Sequence, residues 1–338
     1  MACKKLRAIL CALAATTVAT LSVHAFAVGS AGDVPDIGKV SQPKIKSSAA
    51  LVIDLDSNSV LFERDADVVR PIASISKIFG ALVVTEDCKL DPEALHEMSP
   101  ANRDAARGGD KTKLTTGWSY SHKDLLHAAL MRSDNRALPA LAEACGMDPA
   151  TLAAKMTERA HKMGLTKTAF KEPDGLSAEN VSTAREVMVA LKEVIKNQAL
   201  TEIMGKPDYV IVARKGDRAR DIKIKNTDRL LSRNIAQILG GKTGYTDMAR
   251  YCLAVAARTF EGRQLGMVFL GAEGRHTRFA DFARVIKWLT SSEAIAAEAI
   301  AAEANKVDEK RSGPSAPAVT PAGHVVPSKS VEAENEEE

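Results

Sequence analysis

The chain has 338 residues, 45% of them hydrophobic and 26% charged, which is the composition of a globular protein with a sizeable core and excludes a disordered or fibrous chain. Its formal charge of +3 equals what Lys4, Lys5 and Arg7 contribute, so the remainder is near neutral and gives no support to nucleic-acid binding. With scattered histidines and no CxxC or His-x-x-x-His spacing, neither a metal site nor a cofactor is expected.

Residues 1–27 combine that basic start with an apolar middle and end in Ala25-Phe26-Ala27, a small-residue cleavage pattern. They read as a secretory signal peptide, so the protein is expected to be exported. Thr, Ser and His within the segment weaken the competing reading, a membrane-spanning anchor. Three cysteines remain after cleavage, Cys88, Cys145 and Cys252. That is no disulfide framework, although a single bridge is compatible with an oxidising compartment.

Residues 28–47 are a Gly/Pro/Ser/Lys leader expected to be extended. "SAALVIDLDSNSVLFERD" then reads as two strands around the turn Asp56-Ser57-Asn58. Helical patterns follow at about 74–87, 122–132, 134–145, 149–163 and 183–197. Strands return as "YVIVAR", "DIKIKN", "AQILGGKTG", "RYCLAVAART" and "RQLGMVFLGA", before a last helix from about Thr277 to Thr290. Strands at both ends with helices between them predict an α+β domain over 48–290 whose terminal segments share one mostly antiparallel sheet. Beyond it, 291–338 reads as a helical extension and a disordered acidic tail, with no stable membrane anchor because its terminal charge would be repelled by an anionic bilayer.

Within "RPIASISKIFGALVV", Ser74 and Lys77 stand one helical turn apart at the mouth of an apolar run. Burial of Lys77 is costly unless the amine is paired or neutral. The bland reading is a cap or a solvated pair, since i,i+3 neighbours meet by simple geometry. A second Ser-x-x-Lys, Ser41 to Lys44, sits beside Pro43 and is not expected to be helical. Two more patterns follow in order: "SDN" at Ser133 to Asn135 and "KTG" at Lys242 to Gly244. Alone, each is innocent. Ser133 or Asp134 suits a helix N-cap, "SRN" at Ser232 to Asn234 repeats the spacing by accident, and Lys-Thr-Gly suits a strand exit.

Together the three are the signature set of class A β-lactamases and penicillin-binding proteins. With "RPIASISK", "EPDGLSAENVSTAREV" and "GGKTGYTDMARYCL", residues 48–290 resemble the low-molecular-mass serine D-alanyl-D-alanine peptidases, most closely their D,D-endopeptidase branch. The resemblance implies a β-lactamase/transpeptidase-like fold, an antiparallel sheet flanked by helices with a helical subdomain. It also implies periplasmic cleavage of D-alanyl crosslinks in peptidoglycan stem peptides through an acyl-enzyme on Ser74, with β-lactams as covalent inhibitors. Lys77 would be the base, kept neutral by burial and by Lys242, and Ser133 would bridge the two lysines and relay a proton. Asn135, Lys242, Thr243, Gly244 and Tyr245 would bind substrate, Gly244 by letting it approach closely. The NH groups of Ser74 and Tyr245 would form an oxyanion hole. Arg278 falls where related carboxypeptidases hold the terminal carboxylate. Ser76 reads as packing.

Three alternatives remain. One is a carboxypeptidase that releases terminal D-alanine. Another is a β-lactamase, for which Glu172 lies at a comparable distance but has Gly175 and Leu176 where a deacylating E-x-x-L-N pattern needs Leu and Asn. The third is a non-catalytic wall-binding protein.

Overall fold

The structure, a computed structural model, describes residues 42–109 and 112–291. The expected signal peptide, leader residues 28–41 and residues 292–338 lie outside the described residues.

Residues 42–47 are extended, with Pro43, Ile45 and Ser47 buried between exposed neighbours. They lead into strand β1 (Ala49–Asp54) and strand β2 (Val60–Arg64). The turn between the two forms because Asp54 Oδ1 accepts the main-chain NH groups of Asp56 and Ser57 at 3.0 and 2.8 Å, and Asn58 tolerates a left-handed backbone at φ 60°. Next come the short β3 (Arg70–Pro71), a single 3-10 turn Ala73–Ile75 and helix α1 (Ser76–Asp87). The helical part continues with β4 (Leu95–Glu97), α2 (Pro100–Ala105), β5 (Ser119–Ser121) and α3 (His122–His127). A π-helical turn, Ala128–Arg132, extends α3, and α4 (Ala137–Ala144) and α5 (Pro149–Lys162) follow. After β6 (Val181–Ser182) come α6 (Ala184–Lys196), α7 (Gln198–Met204), β7 (Asp208–Lys215) and β8 (Arg218–Lys225). A 3-10 turn at Arg229–Ser232 leads to β9 (Gln237–Thr246), β10 (Arg250–Arg258), β11 (Gln264–Ala272) and α8 (Thr277–Leu289).

The main sheet has the order β2-β1-β11-β10-β9, antiparallel throughout, so the two ends of the described chain meet where β1 pairs with β11. All six residues of β1 are buried because both faces of the sheet are covered. Leu51 and Ile53 pack with Ile78 and Leu82 of α1 and Val187 and Leu191 of α6. Ala50 and Val52 pack with Phe279, Phe282 and Ile286 of α8. In α8 the buried residues recur at helical spacing, which makes one apolar stripe, and truncating Phe282 to alanine would cost about 3–5 kcal/mol. Helix α6 starts where Thr183 accepts the Glu186 NH at 3.0 Å, a cap that satisfies one of the otherwise unpaired first-turn donors.

The mixed α+β architecture agrees with the sequence reading, but four differences affect the site. The helix expected from Ser74 begins at Ser76, because Ala73 is held at φ +48° and Ser74 lies in the 3-10 turn. The helix expected over 122–132 ends in its π-helical turn, with Ser133 left-handed at φ +63° as the terminator. The helix expected over 134–145 starts only at Ala137. The β7–β8 hairpin does not join the main sheet. It forms a second, four-stranded sheet, β4-β5-β7-β8, within the helical part, and β4 and β5 span only three residues each, too few for any periodicity to show. Cys88 and Cys145 form a disulfide linking the ends of α1 and α4, while Cys252 is free and buried. No helix among the described residues is long and apolar enough to cross a membrane.

Candidate active site

The three motifs converge on one groove of about 1300 Å³ whose lining includes Ser74, Ser133, Asn135, Thr243, Gly244, Tyr245 and Arg278. Each reaches it from a different element. Ser74 stands in the 3-10 turn before α1, and Lys77, one turn further, is fully buried at 0% exposure. Lys77 Nζ donates to Ser74 Oγ at 3.2 Å, to Asn135 Oδ1 at 2.7 Å and to the Asp174 carbonyl at 2.6 Å. Ser76 points away from the groove and packs: its hydroxyl donates to Ala73 O at 2.8 Å and accepts from Asn180 at 3.1 Å.

Ser133 and Asn135 are presented by the turn that ends the π-helical segment. Asp134 between them holds that turn by accepting from Thr112 Oγ1 at 2.6 Å and from the NH groups of Lys113 and Arg136, both at 3.1 Å. From β9, Lys242 Nζ donates to Ser133 Oγ at 3.0 Å and to Thr243 O at 2.8 Å. The expected bridge by Ser133 between both lysines is thus divided: among the described hydrogen bonds Ser133 meets Lys242, and Asn135 meets Lys77. Thr243 Oγ1 donates to Thr227 Oγ1 at 2.7 Å.

Gly244 packs tightly on the protein's own backbone. A Cβ there would lie 3.0 Å from Ile72 O and 3.1 Å from Ser74 N, so its lack of a side chain lets β9 pack against the Ser74 turn. This is a different reason from the substrate approach expected from sequence. Arg278, on α8 and 7% exposed, donates from Nη1 to Gly244 O at 2.7 Å, while its Nε has no partner. Tyr251 and Phe279 flank the guanidinium with ring centres 5.1 and 4.9 Å away.

Sequence reasoning missed Asp174 and Asp228. Asp174 Oδ1 lies 3.3 Å from Lys77 Nζ, with both side chains out of contact with solvent. The contact is close enough for an ion pair, yet neither carboxyl oxygen makes a hydrogen bond. Burial pushes the Asp174 carboxyl up to about 7 against the opposing pull of Lys77, with Glu172 adding to the rise. Burial, then the charges of Lys77 and Arg278, hold Lys242 well below the ordinary lysine range. Asp228 is likewise raised by burial, to about 6, and partly balances Lys242 and Arg278. "EPDGLS" offered one signal, an acidic residue within the second of the stretches that carry the resemblance, but no spacing rule connects it to Lys77, 97 residues away.

Glu172 is used up by its own loop: it accepts the NH groups of Asp174 and Leu176, each at 2.7 Å, and of Ser177 at 3.0 Å. Among the described residues no group of His, Cys, Asp and Glu side chains could hold a metal ion.

Residues 37–274 match the family described as D-alanyl-D-alanine carboxypeptidase. The chain is 32% identical to a D-alanyl-D-alanine endopeptidase of Pseudomonas aeruginosa over 86% of its length and 92% of the relative's. It is also 32% identical to one of Escherichia coli, over 77% of its length and 83% of the relative's. Among solved structures it is similar to the Streptomyces K15 DD-transpeptidase, with a TM-score of 0.69, 25% identity, and coverage of 74% of this chain and 98% of that one. Fold, the three convergent motifs and sequence identity over most of both chains agree, and the chain belongs to the serine D-alanyl-D-alanine carboxypeptidase family of peptidases.

Proposed function

We propose that the protein is a periplasmic serine D,D-endopeptidase that opens D-alanyl crosslinks between peptidoglycan stem peptides. The observation that carries this reading is the pair of serine–lysine contacts at one groove, Lys77 on Ser74 at 3.2 Å and Lys242 on Ser133 at 3.0 Å. A serine hydroxyl is a weak nucleophile until an adjacent base takes its proton. Ser74 Oγ attacks the D-alanyl carbonyl carbon as its proton passes to the Lys77 amine. The oxyanion is met by the NH groups of Ser74 and Tyr245. When the C–N bond breaks, the departing amine takes a proton through Ser133, whose hydroxyl is polarised by Lys242, and water then hydrolyses the ester. Asn135, Thr243 and the β9 edge hold the extended peptide. A β-lactam acylates Ser74 in the same way, but its amine stays tethered. Glu172 is engaged by its own loop and no glutamate is among the described residues that line the groove, which argues against the β-lactamase reading.

The endopeptidase assignment draws on the names of the relatives that match over most of their length. Release of terminal D-alanine is the second reading, and the Arg278 guanidinium with its unpartnered Nε beside Gly244 favours it. The Cys88–Cys145 bridge supports an oxidising compartment. The deciding experiment is mass spectrometry of products from crosslinked muropeptide dimers and from monomeric pentapeptide, with Ser74→Ala as control. Dimers converted to monomers establish the endopeptidase. Free D-alanine with dimers intact makes it a carboxypeptidase. Unchanged substrates and no covalent fluorescent-penicillin adduct would leave the non-catalytic reading.

A further inference from the structure

The groove carries far more positive charge than the hydrolysis described above requires. Seven cationic side chains line it, Lys113, Arg132, Lys223, Lys225, Arg229, Arg275 and Arg278, against one acid, Asp247, although the whole chain carries only +3. Asp247 is itself occupied as the acceptor of the Tyr245 hydroxyl at 2.7 Å.

Several surface cations elsewhere have carboxylate partners: Lys123 with Glu93, Lys155 with Asp87, Arg159 with Glu86, and Arg185 with Glu63 and Asp67. Among the described residues no ion pair joins any of the seven groove cations to a carboxylate. Four of them, Lys113, Arg132, Lys223 and Lys225, come from the helical part and its small sheet, and Arg229 comes from the 3-10 turn between β8 and β9. Lys223 and Lys225 are two apart on β8, so both project from the same face of the strand, and both are exposed. Lys113 is anchored there, its ammonium donating to Lys223 O at 2.6 Å. The charge of Arg132 is felt at Lys242, which places this cationic wall next to the reacting centre. A wall of like charges self-repels, and in a groove with low-dielectric sides its field is focused on whatever binds.

We propose that the wall formed by Lys113, Arg132, Lys223, Lys225 and Arg229 is a subsite for carboxylates carried by the substrate peptide away from the scissile bond, so that the enzyme selects acidic stem peptides over the same peptides with amidated carboxylates. The inference rests on the D,D-peptidase reading for the identity of the peptide. The β8 lysines and Arg229 act here as specificity residues: they fix no reacting atom, and their removal alters the ranking of substrates.

The test is fluorescence anisotropy of two labelled crosslinked peptides on Ser74→Ala protein, one with its non-scissile carboxylates free and one with them amidated. Fluorescent-penicillin labelling of the unsubstituted protein runs alongside. Several exposed ion pairs together make the free-carboxylate peptide bind about tenfold more tightly at low salt, with the advantage shrinking as added salt shortens the Debye length. Adding Lys223→Gln and Lys225→Gln brings the ratio of the two affinities to roughly two, on the same per-pair magnitudes, with circular dichroism confirming the fold. Equal affinities for the two peptides, or a ratio that the double substitution leaves unmoved, overturns the subsite. A charge preference in a protein that takes no penicillin label overturns the peptidase reading alone, and a label without a charge preference overturns the subsite alone.

Discussion

Lys77 Nζ lies 3.3 Å from Asp174 Oδ1, and neither side chain reaches solvent. The amine that must accept the proton of Ser74 is therefore coupled to an acid whose burial has raised it to about 7. Glu172 and Asp134 are the other carboxylates felt at Asp174, and both raise it further.

Removing that charge shifts the pH at which the enzyme works. In Asp174→Asn the acid raised to about 7 beside Lys77 is gone, so the pH dependence of penicillin acylation shifts. Stopped-flow acylation from pH 5 to 10 reads the shift, and an unmoved profile with a lower plateau would mean that Asp174 only supports structure. Stability follows the linked sign. An acid with a raised folded-state value stabilises fully below its ordinary 3.8 and loses that contribution as pH rises through about 7. The melting temperature of the unsubstituted protein should accordingly fall relative to Asp174→Asn between pH 4 and 8.

Gly175 buttresses the nucleophile turn. It sits at φ +81°, and a Cβ there would lie 2.0 Å from Ala73 O and 2.7 Å from Ser74 N. Gly175→Ala combines a left-handed backbone cost of about 1–2 kcal/mol with a displaced Ser74, and acylation falls by at least about tenfold, the scale of a small misplacement of reacting groups. Gly164→Ala is the matched control, at φ +80° with nothing within 4 Å. It should melt lower by a similar backbone amount and acylate normally. Equal acylation in the two variants would remove the buttressing role.

The Cys88–Cys145 bridge spans 57 residues and ties the two helices that flank the site. On loop-entropy grounds its loss costs about 4 kcal/mol, or on the order of 10 °C in melting temperature for a domain of this size. Melting of Cys88→Ser/Cys145→Ser protein against the oxidised protein measures it. A change of only a degree or two would show that the unfolded chain is already restrained there.

Arg278→Gln separates the two peptidase readings. If its guanidinium meets a terminal carboxylate, the substitution raises KM for monomeric pentapeptide by about tenfold or more, the worth of one charge-assisted hydrogen bond, and affects crosslinked dimers much less. Equal losses on both substrates would assign Arg278 to holding Gly244 O in place. The split is read from kcat and KM with the two substrates in parallel.

Much of this was legible in the chain, for identifiable reasons. The strands "RYCLAVAART" and "RQLGMVFLGA" are long and apolar enough to be recognised without partners, and they emerge as β10 and β11. Ser74, Lys77, Ser133, Asn135 and Lys242 stood out because their motifs occur in order, and all five meet at one site. The three-residue strands β4 and β5 were not legible, since two or three residues define no period. Nor was the true start of α1: an alanine at φ +48° is a tertiary accommodation that no propensity anticipates.

By itself the sequence determined the α+β class, the order of the long elements and the residue types available for acyl transfer, because hydrophobic period and local spacing are properties of neighbouring residues. Tertiary structure alone decided which acid lies beside Lys77, which lysine touches Ser133, how closely Gly244 packs on the Ser74 turn, and that among the described residues no carboxylate pairs with the groove cations. Those facts depend on contacts between residues tens to more than a hundred positions apart, such as Lys242 on Ser133, and on the burial that sets their charge. No local pattern encodes either.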